Sequence, residues 1–127
     1  MKLWTMAMVA AWVALGGEAR AASVLSHDVY FELKDDTPAA RAALVAACKK
    51  YLTGHAGTVS FSAGTLVEEH VRPVNDRAWD VALHITFADE AAHDAYQEAA
   101  RHKQFIGEQQ ANWKTVRVFD SRVETVP

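Results

Sequence analysis

Three polar side chains, His27, Tyr96 and His102, have the types and spacing to form one acid–base site. Tyr96 and His102 are six residues apart across a predicted helix end, and His27 lies on the apolar face of a predicted strand. We expect all three to converge on one apolar cavity. There His102 could supply a base and Tyr96 a hydrogen-bond donor. The alternative is that His27 and Tyr96 are buried polar groups with satisfied hydrogen bonds, while His102 bonds a backbone carbonyl.

Metal and cofactor chemistry has little support in the sequence. The chain has six histidines, namely His27, His55, His70, His84, His93 and His102. They form no i,i+4 pair on a predicted helix and have no cysteine partner, so the spacing typical of zinc sites is absent. His27 and His84 are predicted to lie on opposite faces of the sheet, which argues against a metal ion shared by the two. The only feature that favours haem is a histidine at a helix end. There is also no Gly-rich phosphate loop and no G-x-S-x-G. We therefore predict no metal site and no cofactor.

One stretch, WDVALHITFADEAAHDAYQEAARHKQF, contains a strand, a turn, a helix and the last histidine. Residues 80–87 alternate in polarity, which predicts a strand with one apolar face and one mixed face that includes Asp80. Asp89 is a good helix N-cap. The apolar residues that follow it recur at helical spacing, so Tyr96 is predicted to point inward and His93 outward.

The other predicted elements complete a regular order. They are strands at 24–34, 58–67 and 115–120, a helix that begins at Thr37-Pro38, and a short helix or irregular turn after His102. Gly64 inside the second strand suggests a bulge or a close backbone approach. The order β-α-β-β-α-β predicts an α+β, ferredoxin-like fold, with a four-stranded antiparallel sheet and both helices on one face.

Residues 1–21 have the pattern of a signal peptide, with Lys2, an apolar run and small residues before a predicted cleavage site. The run is shorter than the roughly 20 residues of a membrane span, so we predict export to the periplasm or beyond, without stable membrane insertion. Residues 22–127 then form one domain with 11 basic and 15 acidic residues. This acidic balance, with no basic run, argues against nucleic-acid binding. Cys48, the only cysteine, is predicted to be a buried, inert thiol.

The second face of the predicted sheet has no helix to cover it. It would carry Tyr30, Ala82 and Phe119 among polar residues. We therefore predict a homodimer that forms through this open face.

The order and spacing of several residues resemble the stress-responsive α/β barrel (Dabb) domain family. They are His27-Asp-Val-Tyr-Phe in the first strand, Gly64, Asp80-Val-Ala-Leu, Thr86-Phe87, Tyr96-Gln97, and His102 followed three residues later by Phe105. The resemblance runs from about residue 24 to residue 123. It implies a ferredoxin-like protomer whose sheet pairs with a second sheet in a dimeric α/β barrel.

The family includes plant stress-induced proteins and a polyketide cyclase, and the resemblance to that cyclase implies roles for His27, Tyr96 and His102, with His102 as general base. The cyclase's strand-three histidine corresponds to Val81, and the His-Pro pair of many members to Ala99-Ala100. We expect an exported, homodimeric stress-response domain that binds a small apolar ligand between sheet and helices. The alternatives are a polyketide-cyclase-like enzyme and a purely structural or stress-protective dimer.

Overall fold

The computed structural model describes residues 23–126, which form one four-stranded sheet with helices packed on one face. The elements are β1 (Ser23–Leu33), α1 (Pro38–Tyr51), β2 (Thr58–Thr65), β3 (Val81–Phe87), α2 (Glu90–Glu98), α3 (Ala100–Gln109), a 3₁₀ turn (Gln110–Asn112) and β4 (Trp113–Glu124). The strand order is β2-β3-β1-β4, and every neighbouring pair is antiparallel. The predicted ferredoxin-like fold is confirmed.

The predicted signal peptide, residues 1–21, lies outside the described residues. Within residues 23–126, no helix is both long enough and apolar enough to cross a membrane.

The core lies between the sheet and the helices, because every second residue of β1 faces them. Alternate β1 residues from Leu25 to Leu33 are buried, and those between them are partly exposed. Helix α1 begins as predicted, since the Thr37 hydroxyl accepts the Ala40 N–H at 3.2 Å and Pro38 follows the cap. Cys48 on α1 is fully buried, and burial raises the pKa of its thiol to about 12. A thiol of that kind is inert at neutral pH, in agreement with its predicted character.

The observed elements differ from the predicted ones in three places. The segment after Ala99 is a ten-residue helix, α3, longer than the short helix predicted as one of two alternatives, and the irregular turn is not observed. Strand β4 runs over twelve residues, twice the predicted length, because it pairs with the whole of β1. The bulge expected at Gly64 is absent, and the register of β2 shifts between Thr58 and Ser60 instead. A Cβ atom added at Gly64 would meet nothing within 4 Å, so no close backbone approach explains this glycine.

Asp80 is buried, although the alternation of the third strand predicts it on the mixed face of the sheet. Its carboxylate accepts the Leu33 N–H at 2.7 Å and a bond from the Arg41 guanidinium at 3.0 Å. Burial raises the pKa of this carboxyl, while the Leu33 N–H and Arg41 act in the opposite direction. Asp80 therefore ties the start of β3 to the end of β1 and to α1.

Candidate functional site

His27 points from β1 into the space beneath the helices and is 4% exposed. It lies opposite Asp120 of β4, and its Nδ1 is 2.6 Å from the Asp120 Oδ1. A carboxylate can only accept a hydrogen bond, so in the neutral ring Nδ1 carries the proton and Nε2 has the lone pair. His27 is thus a buried polar group with a partner, as the structural alternative requires, and it still has one free ring nitrogen for chemistry.

Tyr96 and His102 come together because the chain bends between α2 and α3. Asp89 caps α2 as predicted and accepts the Ala92 N–H at 2.8 Å. The helix ends at Glu98, and the extended backbone of Ala99 (φ −64°, ψ 140°) starts α3 in a new direction. The rings of Tyr96 and His102 then lie 4.5 Å apart, and the Tyr96 ring is 5.8 Å from that of His27. The predicted convergence of these three side chains is observed.

The surroundings of these groups set their protonation. Burial raises the pKa of the Tyr96 hydroxyl well above its ordinary value, and the Cys48 thiol adds to the effect, so Tyr96 remains a donor at neutral pH. Burial lowers the pKa of His102, and three other histidines nearby lower it further. The His102 Nδ1 is 3.2 Å from the Gln97 carbonyl oxygen, which only accepts, so the lone pair of the neutral ring is on Nε2. His102 can therefore act as a base at neutral pH.

The imidazole of His102 is expected to titrate below the ordinary histidine value of about 6.5. Because the unfolded chain binds this proton more readily, the free energy of unfolding should fall as pH decreases from about 6.5 through the folded-state pKa. NMR titration of the ring Cε1–H measures that pKa, and the His102→Gln variant assigns the resonance. A titration midpoint at or above about 6.5 would contradict the burial argument.

A cavity of about 160 Å³ lies between the sheet and helices α2 and α3. Its lining combines apolar side chains with the polar groups described above, and consists of His27, Val29, Phe31, Leu52, Leu83, Tyr96, Gln97, His102, Phe105, Ile106, Trp113, Val116 and Val118. Val116 and Val118 on β4 are 39% and 51% exposed, so the cavity reaches solvent beside this edge strand. The indole Nε1 of Trp113 is buried without a hydrogen-bond partner. The Trp113 ring therefore lines the cavity, while its unpaired N–H is buried behind the cavity wall.

Two histidines near Tyr96 were not assigned to the site from the sequence. The prediction that His93 points outward is wrong, because its side chain is only 16% exposed and its ring is 5.3 Å from that of His27. The spacing of His93 and Tyr96 along one helix face could have indicated this. His55, in the loop after α1, has its ring 5.0 Å from that of Tyr96, and no periodicity in the loop indicates that contact.

Comparisons with known proteins agree with this architecture. A family model described as the stress responsive A/B barrel domain matches residues 25–123. A search of the curated proteins finds no match. Similar solved structures include a dimeric ferredoxin-like protein of unknown function from Thermobifida fusca, with 14% identity, a TM-score of 0.66, and coverage of 80% of this chain and 92% of that chain. A Dabb family protein with a ferredoxin-like fold from Mesorhizobium loti has 21% identity and a TM-score of 0.65, covering 83% of this chain and 97% of that chain.

A hydroxynitrile lyase from Passiflora edulis has 17% identity and a TM-score of 0.66, with coverage of 84% of this chain and 99% of that chain. At such identities these similarities show a shared fold. The family model spans nearly the whole described region, so the chain belongs to the stress responsive A/B barrel domain family, as the order of its residues around His27, Tyr96 and His102 predicts.

Proposed function

We propose that this protein is an exported homodimer that binds a small apolar carbonyl compound in the cleft between the sheet and helices α2 and α3. The observation that carries the proposal is the cavity of about 160 Å³, which is apolar except for a few convergent polar groups. An engineered apolar cavity of about 150 Å³ in another protein binds benzene. The ligand class is therefore a molecule of about one aromatic ring.

The polar groups of the cleft favour an oxygen acceptor on that ligand. Tyr96 keeps its proton because burial raises the pKa of its hydroxyl. The buried Trp113 indole can only donate, and no group among residues 23–126 accepts its hydrogen bond. A ligand that accepts a hydrogen bond is therefore favoured by Tyr96, and also by Trp113 where the indole turns its N–H toward the cleft. A ketone or aldehyde oxygen meets that need.

The dimer is supported by the uncovered face of the sheet. Tyr30 stacks edge-on with Trp79 and Phe119 there, with ring centroids 5.0 and 5.8 Å apart. Phe119 is 52% exposed, and two of the similar solved structures are described as dimeric. A second copy of this face is a suitable cover for an exposed aromatic cluster.

Export is supported by the pattern of residues 1–21, and a mature protein that begins at Ala22 would verify it.

Binding is tested with acetophenone, a ring that carries one carbonyl, by calorimetry and by NMR of the Trp113 indole N–H. We expect saturable binding that shifts this resonance. Val118→Trp should abolish binding because Val118 lines the opening of the cavity, and Val59→Trp, an equivalent change at an exposed position of β2, should not. Absence of binding to the unmodified protein, or equal loss in both variants, would show that the cleft is not a ligand site.

An acid–base enzyme is the second candidate, and the tautomer of His102 favours it. Its Nε2 lone pair can accept a proton, and the Tyr96 hydroxyl beside it can donate a hydrogen bond. Proton removal next to a carbonyl needs both of these groups. One similar structure is a hydroxynitrile lyase, so an enzyme of this fold is known. Exchange of the acetophenone methyl protons in deuterated water measures this activity by NMR. Exchange that the protein accelerates and that His102→Gln removes would establish the enzyme, whereas binding without exchange supports a binding protein or a stress-protective dimer.

A further inference from the structure

A cluster of metal-ligating side chains lies at the β4 edge of the cleft and shares only His27 with the cavity lining. It consists of His27 on β1, His93 on α2 and Asp120 on β4. One ligand atom from each, a ring nitrogen or a carboxylate oxygen, lies within 4.8 Å of the other two. It is the one such group within residues 23–126. The sequence spacing could not indicate it, because the three residues are far apart in the chain and meet only through strand pairing and the packing of α2.

The hydrogen bonds of the two imidazoles prepare them for a cation. The His93 Nδ1 is 3.1 Å from the Asp94 carboxylate, and its Nε2 is 3.4 Å from the Gln97 side-chain nitrogen. A carboxylate accepts and an amide nitrogen donates, so the neutral His93 ring has its lone pair on Nε2. For His93, the Asp94 carboxylate on the far nitrogen is the usual support of a metal-bound histidine, because it fixes the ring and raises its basicity. The His27 Nδ1 is bonded to Asp120, a member of the cluster, so a cation would take the place of the proton between these two groups.

We propose that His27, His93 and Asp120 bind a divalent transition-metal ion, with Zn²⁺ as the expected occupant. Imidazole nitrogen with one carboxylate suits zinc and its neighbours, whereas Mg²⁺ and Ca²⁺ prefer oxygen ligands alone. Tetrahedral Zn²⁺ with bonds of about 2.0 to 2.2 Å needs its ligand atoms about 3.4 Å apart. The three atoms lie within 4.8 Å of one another, so binding requires side-chain rotations that bring them to that separation. Three protein ligands leave a fourth position for water, and Asp120, 45% exposed, gives the ion a path from solvent.

The site is tested by titrating the untagged protein with Zn²⁺ in a calorimeter and with Co²⁺ followed by visible absorption. We expect one ion per chain and the absorption of tetrahedral Co²⁺. His93→Ala removes one ligand from the inward side of α2 and should weaken Zn²⁺ binding about 100-fold or more. The matched control is His84→Ala. His84 also contacts a carboxylate, since its Nδ1 lies 2.5 Å from an Asp28 oxygen, but on the opposite face of the sheet. Among residues 23–126, His84 belongs to no group of three metal-ligating side chains. This variant should bind Zn²⁺ like the unmodified protein.

The proposal is wrong if the unmodified protein binds no Zn²⁺ at micromolar concentration, or if both variants lose affinity equally while circular dichroism remains unchanged. Equal loss would indicate ions held loosely by surface histidines. The site does not depend on the proposed ligand in the cleft. Val118→Trp, which should abolish acetophenone binding, leaves all three ligands in place and should retain the Zn²⁺ affinity. The two proposals can therefore fail separately.

Discussion

Replacing Phe119 by aspartate is expected to convert the proposed homodimer into a monomer and to raise its dissociation constant about 30-fold or more. Phe119 is 52% exposed in the single chain and contacts Tyr30 on the open face of the sheet. A large aromatic residue at the centre of an interface commonly contributes about 2 kcal/mol or more, which corresponds to that change in the dissociation constant. A carboxylate there would also be desolvated without a partner. Sedimentation velocity at micromolar concentration measures the change.

Val118 provides a matched control for this experiment. It precedes Phe119 on β4 and is 51% exposed, but it points to the opposite face of the sheet. Val118→Asp should therefore leave the dimer intact. If the unmodified protein sediments as a monomer, the open face has no partner copy. If Phe119→Asp remains a dimer, or if Val118→Asp dissociates as readily, the contact lies elsewhere, for example at the β4 edge.

The fold was predictable because its signals are local. Alternation in β1 and β3, the cap at Asp89 and the Thr37-Pro38 start depend on residues close together in the chain, and each was observed. The same signals predicted that His27, Tyr96 and His102 would meet, because strand parity and helical period determine which side chains face the core. No long-range information was needed for these elements.

The partners of the site residues were not predictable in the same way. The pairing of His27 with Asp120 depends on the register of β1 against β4, which is shifted by an irregularity between Glu32 and Leu33. The alternation alone gives the face of each residue but not the residue opposite it. The alternation of the third strand predicts Asp80 on the mixed face, whereas the Leu33 N–H and the Arg41 guanidinium make a buried position favourable. Acidic residues are seldom buried without such partners, and a sequence does not reveal the partners.

His93 was misplaced for a related reason. The alanines of α2 suggest an inward stripe, but Ala91 and Ala95 are exposed in the structure, and the inward side of the helix carries Ala92 and Tyr96. Small residues give weak information on orientation because little free energy is gained by burying them. The larger rings of Tyr96 and His93 pack against Phe87 and His27, and this packing determines how α2 faces the sheet.

Replacing Tyr96 by alanine is expected to lower the free energy of unfolding by about 3 to 5 kcal/mol, the usual cost of removing a buried aromatic ring. Tyr96 is 2% exposed, and its ring contacts four others, those of His27, His55, Phe87 and His102. Loss of the Tyr96 ring would leave a void beside the existing cavity. Urea unfolding followed by circular dichroism measures the difference.

Tyr96→Phe separates the ring from the hydroxyl, since it retains the packing and removes only the donor. We expect it to cost about 1 kcal/mol or less in unfolding, yet to weaken acetophenone binding about tenfold, the equivalent of one hydrogen bond. A loss of stability as large as that of Tyr96→Ala, with ligand affinity unchanged, would mean that the hydroxyl stabilises the core and does not contact ligand. The ring of Tyr96 would then be one more part of the apolar wall, and a donor to the ligand would have to come from another residue of the cleft.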